Sequence, residues 1–474
     1  MITRAPAKLI VECVDTRVQG FVPRKVISDL LSYSVPGAFH MPAFKEKRWD
    51  GRARLFQGSK FPTGCVDLVT DLLDNHGYKY VIDDRRPDLD FDPNMFNLPG
   101  IKFRPYQVNT IARMLDAMQG YISVATGGGK TLIAGGLIKG LQKPSAFLVH
   151  NSILFDQAVK SFGKYFGPDN VGAYRGGHTQ LRPITVFMVQ ALRHAIGNRR
   201  RMPVLEQFRV MIVDECHHVA SDGQKAQWYQ VARRFKGAPY RFGMTATPQK
   251  RKWKILMHGA LGPEIVSVEV DTLQEAGYLA PTRCEFFKID EPDLYRAKYF
   301  KAYREGIVEN VVRNEYSVKC ALEQAGGRRV ILIIVQEVKH GRTIQSMLRQ
   351  KNKAFDMVFL HGEWTKTAAK RKQLDVVLDK VKDRQIDIVI ATRGLFGEGV
   401  DIPVLDCIIN LAGGKSDIAF RQVLGRGLRI EKDKDQLYYI DFVDEQNPHL
   451  LEHSQLRIAE CRKMNQPVEV STMR

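Results

Sequence analysis

Two series of short apolar runs, separated by segments long enough to form helices, constrain the fold of this 474-residue chain more than any other feature. The runs are rich in branched aliphatic residues and end in polar residues or glycine, which is typical of strands buried in parallel sheets. The first series comprises YISVAT (121–126), AFLVH (146–150), ITVFMVQ (184–190), VMIVDE (210–215) and YRFGMTAT (240–247). The second comprises VILIIV (330–335), MVFLHG (357–362), IDIVIAT (386–392), LDCIINL (405–411) and QLYYIDFVD (436–444). Because parallel strands need crossover connections, we predict an α/β fold with two consecutive parallel sheets.

The segments outside these series have a different composition. The N-terminal part mixes short strand-like runs with one helical stretch, VPRKVISDLLSYS, and ends in DDRRPDLDFDPN, whose prolines and aspartates indicate a linker. The C-terminal part is polar and helix-prone. We therefore predict a small α+β accessory domain at 1–97, a first α/β lobe at 98–275, a second lobe at 276–445 and a tail at 446–474.

The charge balance points to a polyanionic partner. The chain has 71 Lys and Arg against 52 Asp and Glu, a formal charge of +19 and a pI near 9.5. Such an excess attracts polyanions, with nucleic acid as the leading candidate and a merely soluble basic protein as the alternative. Seven scattered cysteines without a C-x-x-C pair argue against a disulfide framework. No apolar run is long enough to span a bilayer, so we expect a soluble cytoplasmic protein with no membrane partner.

A glycine-rich stretch, SVATGGGKTL at 123–132, follows a predicted strand and precedes a helical run. Glycines let the main chain approach closely, so the N–H groups of Gly127 to Lys130 would surround phosphate oxygens. Lys130 would neutralise the β- and γ-phosphates, and Thr131 would hold Mg²⁺. The usual pattern has a glycine where this chain has Val124, and a chance flexible turn is the alternative interpretation.

The second motif, VMIVDECHH, places Asp214 and Glu215 at the carboxyl end of a buried strand, where ligands bind in open α/β sheets. An aspartate there can hold Mg²⁺ through water, and the glutamate can orient and deprotonate an attacking water. The alternative is a zinc site made by Cys216, His217 and His218. That site lacks a second group of ligands at usable spacing.

The third motif, FRQVLGRGLR at 420–429, carries two arginines that would share one face of a helix. Arg426 and Arg429 would stabilise the charge that develops on a transferred phosphoryl group, as arginine fingers do. Gln422 lies one turn before Arg426 and would contact the water or the γ-phosphate. A solvated basic helix is the alternative.

Together, the order and spacing of these motifs resemble those of superfamily 2 helicases, over residues from about 100 to 445. The resemblance implies two RecA-like lobes, ATP and Mg²⁺ as cofactors, and a loop in which Val124 is a family variant. FRPYQ at 103–107 is similar to the Q-motif, in which Gln107 would read adenine with Phe103 or Tyr106 against the ring. The nucleotide-binding set implied in this way is Phe103, Arg104, Gln107, Ala125, Thr126, Gly127, Gly128, Gly129, Lys130, Thr131, Gly399 and Asp401.

The same resemblance implies contacts with nucleic acid. TATP at 245–248 is similar to motif III, in which Thr245 and Thr247 would link hydrolysis to DNA contact. IATRGLFGEGVDIP is similar to motif V, in which Thr392 would contact a backbone phosphate. His150-Asn151 departs from the Pro-Thr that many relatives carry at that position.

The N-terminal segment KEKRWDGRARLF, at 45–56, resembles the accessory domain of phage recombination helicases of the UvsW type. There Trp49 would stack on a base while Arg52 and Arg54 grip phosphates at a fork; the alternative is that Trp49 fills a small core. Two further basic clusters, GNRRRMP at 197–203 and PQKRKWK at 248–254, would line the strand path or simply be solvated.

The resemblance implies an ATP-dependent DNA helicase that acts on forks, Holliday junctions or R-loops, where RNA would be a second polymer. It also implies 3′→5′ polarity, and we expect a monomer in the cytoplasm of a bacterial or phage-infected cell. Three alternatives stay open: a duplex translocase that does not separate strands, a binding module with a vestigial ATP site, and an RNA helicase. The RNA branch usually reads D-E-A-D where this chain reads DECH.

Overall fold

The computed structural model of the protein describes residues 5–87, 90, 96–196, 205–220, 226–246, 254–397, 400, 402–415, 417–431 and 434–472. The chain divides into two compact units, Met1–Val124 with Gly129–Ser267, and Ala125–Gly128 with Val268–Arg474. All seven cysteines are buried free thiols. Within the described ranges, no helix combines the length and apolar character needed to cross a membrane.

The first unit contains the accessory region and the first α/β lobe. Its strands are β1 (Ala7–Val11), β2 (Asp15–Gln19), β3 (Ser32–Ser34), β4 (Arg52–Arg54), β5 (Lys60–Pro62), β6 (Tyr80–Asp84), β7 (Gln119–Val124), β8 (Ser145–Val149), β9 (Val171–Arg175), β10 (His178–Gln180), β11 (Ile184–Met188), β12 (Val210–Asp214), β13 (Tyr240–Thr245) and β14 (Glu264–Val268). Its helices are α1 (Arg24–Leu30), α2 (Pro42–Lys45), α3 (Val66–Asn75), α4 (Pro105–Ala117), α5 (Lys130–Leu141), α6 (Ser152–Phe166), α7 (Val189–Ile196), α8 (Ala226–Ala232) and α9 (Lys254–Leu261).

The N-terminal region has its own four-stranded sheet, in the order β5-β2-β1-β6. Strand β1 is antiparallel to β2 and parallel to β6. The buried side chains of this region, among them Leu9, Phe61 and Val69, form a separate core with α3. Helix α3 was not predicted from the sequence, although its apolar residues recur at helical spacing.

This small sheet packs against the lobe that follows it in the same unit. Asp67 accepts a hydrogen bond from His258 at 2.9 Å, and Arg233 donates to Asp15 at 2.7 Å. The two parts approach closely at Gly64, where a Cβ atom would lie 2.1 Å from the carbonyl oxygen of His258. Glycine is therefore required at this point of contact.

The first lobe is built on an eight-stranded sheet in the order β10-β9-β11-β8-β12-β13-β7-β14. The predicted strands β7, β8, β11, β12 and β13 are present, and the register of their neighbouring pairs is parallel. Their residues are almost entirely buried, as expected for strands covered on both faces. The carboxyl ends of β7, β12 and β13 therefore lie side by side.

The second unit contains the second lobe. Its strands are β15 (Thr282–Ile289), β16 (Val330–Val335), β17 (Met357–Leu360), β18 (Ile388–Thr392), β19 (Leu405–Asn410), β20 (Leu437–Asp444) and β21 (Val468–Thr472). Its helices are α10 (Val270–Glu275), α11 (Tyr299–Tyr303), α12 (Val311–Gly326), α13 (Val338–Lys351), α14 (Ala368–Lys382), α15 (Arg393–Gly397), α16 (Asp417–Gly427) and α17 (Pro448–Lys463). A π-helix at Arg304–Val308 continues α11.

The second sheet has the order β17-β18-β16-β19-β20-β15-β21, and its pairs are parallel. The prediction of two parallel-sheet lobes in tandem is thus confirmed. The chain after residue 446 adds helix α17 and the edge strand β21 to this lobe. Arg457 of α17 is buried and donates to Asp441 of β20 at 2.8 Å, which anchors the helix to the sheet.

Candidate nucleotide-binding site

The glycine-rich loop connects the carboxyl end of β7 to the first residue of α5. Gly127 and Gly129 have φ values of 85° and 80°, a region that favours glycine. A Cβ atom at Gly129 would lie 2.6 Å from Nε2 of Gln107, so a larger residue would displace that amide. The loop precedes a twelve-residue helix, whose N-terminal N–H groups and dipole favour phosphate. This backbone cradle fits the phosphates of ATP.

The first turn of α4 holds the predicted adenine-reading glutamine beside this loop. Gln107 is buried and its Oε1 accepts the backbone N–H of Arg104 at 2.9 Å. Its Nε2 donates to the hydroxyl of Tyr106 at 3.4 Å. The Phe103 ring packs edge-on against Phe96, with centroids 5.8 Å apart. A base-stacking role for either aromatic residue of the motif stays a prediction.

The two acidic residues lie where β12 ends. Asp214 is its last residue, and Glu215 adopts a φ of 47°, a strained value for a residue with a side chain. Such strain is often found at functional sites, and the Glu215 N–H donates to Asp214 Oδ1 at 3.0 Å. The side chain of Glu215 is only 15% exposed.

Burial, and then the charge of Glu215, raise the pKa of Asp214. Burial also tends to raise the pKa of Glu215, but a hydrogen bond from His217 and the charge of Lys130 outweigh it and lower that pKa. Lys130 acts on both carboxyl groups, so the three charged groups lie within electrostatic reach of one another. Carboxylate oxygens, with the Thr131 hydroxyl, are the hard ligands that Mg²⁺ prefers. The residues present therefore fit a nucleotide-bound magnesium ion.

His217, which the sequence suggested only as a zinc ligand, makes a different connection. Its Nδ1 lies 3.2 Å from Glu215 Oε2 and 3.1 Å from Thr245 Oγ1. Cys216 instead packs its sulfur 3.7 Å from that of Met257. Within the part of the chain that the structure describes, no group of three His, Cys, Asp or Glu side chains could hold a metal ion. Sequence reasoning missed the link made by His217 because it joins two strands that are distant along the chain.

The departure at His150-Asn151 has a local structural explanation. Asn151 is the N-cap of α6, and its Oδ1 accepts the N–H of Leu154 at 2.8 Å. The His150 ring lies 4.3 Å from the ring of His218, between centroids. Asn151 therefore caps the start of α6. His150 contacts His218, which belongs to the motif that follows β12.

The arginine motif of the second unit differs from expectation in one respect. Helix α16 ends at Gly427, so Arg429 lies beyond the helix and the expectation that it shares a helical face with Arg426 is wrong. The helix stops there because glycine disfavours continuation and Lys434 donates to the carbonyl of Gly427. Arg426 donates to the carbonyl of Val400 and lies 5.6 Å from the centre of the Phe396 ring.

The proposed strand contacts are placed as follows. Thr245 and Thr392 end β13 and β18, and both are buried. In the accessory region, the Trp49 indole donates to the carbonyl of Arg52 at 2.8 Å. Arg52 donates to Ser32 at 2.9 Å, and Arg54 makes a 2.6 Å ion pair with Asp50. Arg54 thus already has an anionic partner.

Several predicted positions lie outside the described residues, namely Thr247, Gly399, Asp401, the side chain of Gln422, and the basic clusters at 197–203 and 248–253.

Comparisons with known proteins agree with this architecture. Residues 100–250 match the family model described as type III restriction enzyme, res subunit, and residues 313–431 match the helicase conserved C-terminal domain. The DNA 3′-5′ translocase XPB2 of Sulfurisphaera tokodaii is 26% identical over 71% of this chain and 80% of its own length. The ATP-dependent DNA helicase uvsW of phage T4 is 24% identical over 88% of this chain and 86% of its own.

A solved fragment assigned as the HsdR subunit of a type I restriction enzyme from Vibrio vulnificus shares the fold. Its TM-score is 0.59 at 18% identity, over 87% of this chain and 78% of that one. The two lobes, the glycine-rich loop and the matched domains define an ATP-dependent helicase of superfamily 2. Within that superfamily the chain resembles the UvsW-like helicases.

Proposed function

We propose that this protein is a motor that uses ATP hydrolysis to move along DNA and to unwind or branch-migrate branched DNA. The observation that carries the proposal is the grouping of Lys130, Asp214 and Glu215 beside a loop shaped for phosphate. This grouping contains the charged groups that ATP hydrolysis requires. Because these groups are all present, they also argue against a binding module with a vestigial ATP site.

In the proposed cycle, Lys130 neutralises the β- and γ-phosphates, while Thr131 and Asp214 would hold a magnesium ion that would neutralise further phosphate charge. Glu215 orients the attacking water and accepts its proton, because its carboxyl group is ionised and lies beside the phosphate-binding loop. Arg426, with Arg429 and Gln422, supplies positive charge and hydrogen bonds to the γ-phosphate in the transition state. Gln107 and the aromatic residues of its motif recognise adenine, and the helicase resemblance implies that Gly399 and Asp401 would also contact the nucleotide.

The choice of DNA rests on charge and on relatives. A formal charge of +19 favours a polyanion, and the two relatives described above are named as DNA enzymes. The branched form is suggested by the basic accessory segment around Trp49 and by the likeness to a phage helicase. We propose roles in recombination, repair or replication, a monomeric state, and the cytoplasm of a bacterial or phage-infected cell as the site of action.

A second candidate is translocation along duplex DNA without strand separation. The match of residues 100–250 to a restriction-enzyme subunit and the relative named a translocase favour it. Strand separation on a labelled fork, compared with displacement of a third strand from an otherwise intact duplex, distinguishes the two candidates. Release of the fork strand supports the helicase. Third-strand displacement without fork unwinding supports the translocase, and unwinding restricted to RNA duplexes would contradict both.

A further inference from the structure

A surface segment at 295–304, between β15 and α12, presents aromatic and basic side chains together. We call it the 295–304 segment. Phe300 is 86% exposed and Tyr295 is 72% exposed, the highest values among the exposed large hydrophobic residues of the described chain. The exposed basic residues of the segment are Arg296, Lys298, Lys301 and Arg304.

Hydrogen bonds and a buried alanine anchor the backbone of this segment, so the fold itself holds its aromatic rings at the surface. The Asn447 side-chain amide donates to the carbonyls of Leu294 and Ala297, at 2.7 and 3.1 Å. Ala302 is fully buried in a small core with Ile307. The inward positions are therefore occupied by anchoring residues, and the outward positions carry the aromatic and basic residues.

The segment is tied to the carboxyl edge of the second sheet. The Tyr303 hydroxyl donates to the carbonyl of Ala412 at 2.9 Å, and Ala412 follows the end of β19. Strands β18 and β19 flank β16 in parallel register, so their carboxyl ends lie at the same edge. Thr392, for which a backbone-phosphate contact is predicted, ends β18 at that edge.

The charge of the segment suits a polyanion. The 295–304 segment contains four basic side chains and no acidic one. Lys301 has a weak ion pair with Glu305 at 3.9 Å. Among the described residues, the side chains of Arg296, Lys298 and Arg304 form no ion pair or hydrogen bond, so their charges are available to a ligand.

We propose that the 295–304 segment binds unpaired nucleotides of a DNA strand. Phe300 and Tyr295 stack on bases, and the basic residues of the segment contact the phosphates. Exposed aromatic rings with interspersed cations are the combination that recognises single strands, because base faces are accessible only when the bases are unstacked from a duplex. The inference rests on the proposed function, since it assigns a surface to the DNA on which that motor acts.

The test compares the affinity of the full-length protein for fluorescent oligothymidylate and for a blunt duplex of the same length. We expect Phe300→Ala to weaken single-strand binding by roughly five-fold to a hundred-fold, the range for removal of one stacked base, with little change for duplex. Phe300→Trp restores a stacking surface and should recover the affinity. Val311→Ala, which removes an aliphatic group at a 63% exposed position of the same lobe, should bind as the wild type does.

Salt dependence checks the role of the basic residues at the phosphates. The double variant Lys298→Gln/Arg304→Gln should lower the slope of log affinity against log salt by about 0.7 for each single-strand phosphate that is no longer neutralised. Unchanged single-strand affinity in Phe300→Ala, or equal weakening for single strand and duplex, would overturn the inference while leaving the motor intact. Failure of the wild type to bind any DNA would instead overturn the proposed function.

Discussion

His217 Nδ1 lies 3.1 Å from Thr245 Oγ1, so one imidazole joins the end of β13 to Glu215 at the end of β12. The two strands are parallel neighbours, with Asp214 opposite Met244. His217 therefore lies close to both side chains, and we expect a change at Glu215 during hydrolysis to reach Thr245 through it. Because Thr245 and Thr247 are predicted to link hydrolysis to DNA contact, we expect His217 to form part of the route between the chemical step and the strand.

Thr245→Val should uncouple hydrolysis from DNA. Valine has the shape of threonine but cannot hydrogen-bond to His217, so we expect the DNA-stimulated kcat to fall about ten-fold or more while KM for ATP changes little. Steady-state ATPase assays with and without single-stranded DNA measure this. Thr245→Ser keeps the hydroxyl and should keep most of the stimulation. Equal stimulation in the valine and serine variants would show that the hydrogen bond carries no coupling.

Lys130→Ala and Glu215→Gln should each abolish turnover for different reasons. The first removes the cation beside the phosphates, and the second leaves the site's shape but removes the proton acceptor. We therefore expect Glu215→Gln to bind a fluorescent ATP analogue about as well as wild type, and Lys130→Ala to bind it poorly. Near-normal hydrolysis in either variant would contradict the roles assigned to these two residues.

Arg426→Ala should lower kcat by about 10³-fold or more, the scale expected when an arginine finger is removed, with little change in KM for ATP. Arg421→Ala on the same helix is the matched control, since Arg421 pairs with Glu460 and should affect stability more than rate. Pre-steady-state hydrolysis at saturating ATP gives the comparison. A fall in ATP affinity without a fall in rate would make Arg426 a binding residue.

Arg457→Ala should destabilise the second lobe strongly. Arg457 and Asp441 are 4% and 0% exposed, and removing one partner leaves a buried charge at a cost of about 3–5 kcal/mol. Urea unfolding followed by circular dichroism measures the change. Adding Asp441→Asn removes the orphaned charge and should recover part of the stability. A single variant as stable as wild type would mean that α17 does not depend on this pair.

Gly64→Ala tests the contact between the accessory sheet and the first lobe. The new Cβ would meet the His258 carbonyl at 2.1 Å, so the backbones must separate, at a cost of at least about 1–3 kcal/mol. The thermal midpoint should fall accordingly. Gly176→Ala is the control, because nothing lies within 4 Å of its Cβ position. Equal thermal midpoints for the two variants would mean that the structure around Gly64 accommodates the added Cβ atom without strain.

The strands that the sequence predicted are those in which nearly every residue is apolar, such as Val330–Val335, whose bounds match the prediction. Strand β15 was missed because charged and apolar residues alternate along TRCEFFKI, and β21 because VEVST is a half-exposed edge strand. Such strands depend on their neighbours, and the local sequence carries little signal for them.

The candidate nucleotide-binding site likewise contains residues that the local sequence predicts and contacts that depend on neighbouring strands. Lys130, Asp214 and Glu215 were predicted because each lies within a contiguous motif next to a buried strand. The contacts of His217 with Glu215 and Thr245 depend on β12 and β13 being neighbours in the sheet. Neither motif contains information on that strand order. Arg429 was placed on a helix by spacing alone, whereas Gly427 ends that helix two residues earlier. Aromatic exposure at Phe300 is likewise decided by the residues that anchor its backbone.

We propose that DNA drives ATP hydrolysis by this protein. The most direct measurement is the steady-state ATPase rate of the full-length protein without nucleic acid and with single-stranded DNA, blunt duplex, a fork, a four-way junction or RNA. We predict strong stimulation by DNA, greatest with the branched forms and steeply reduced by salt. A rate that none of these polymers raises, or that RNA alone raises, would contradict the claim.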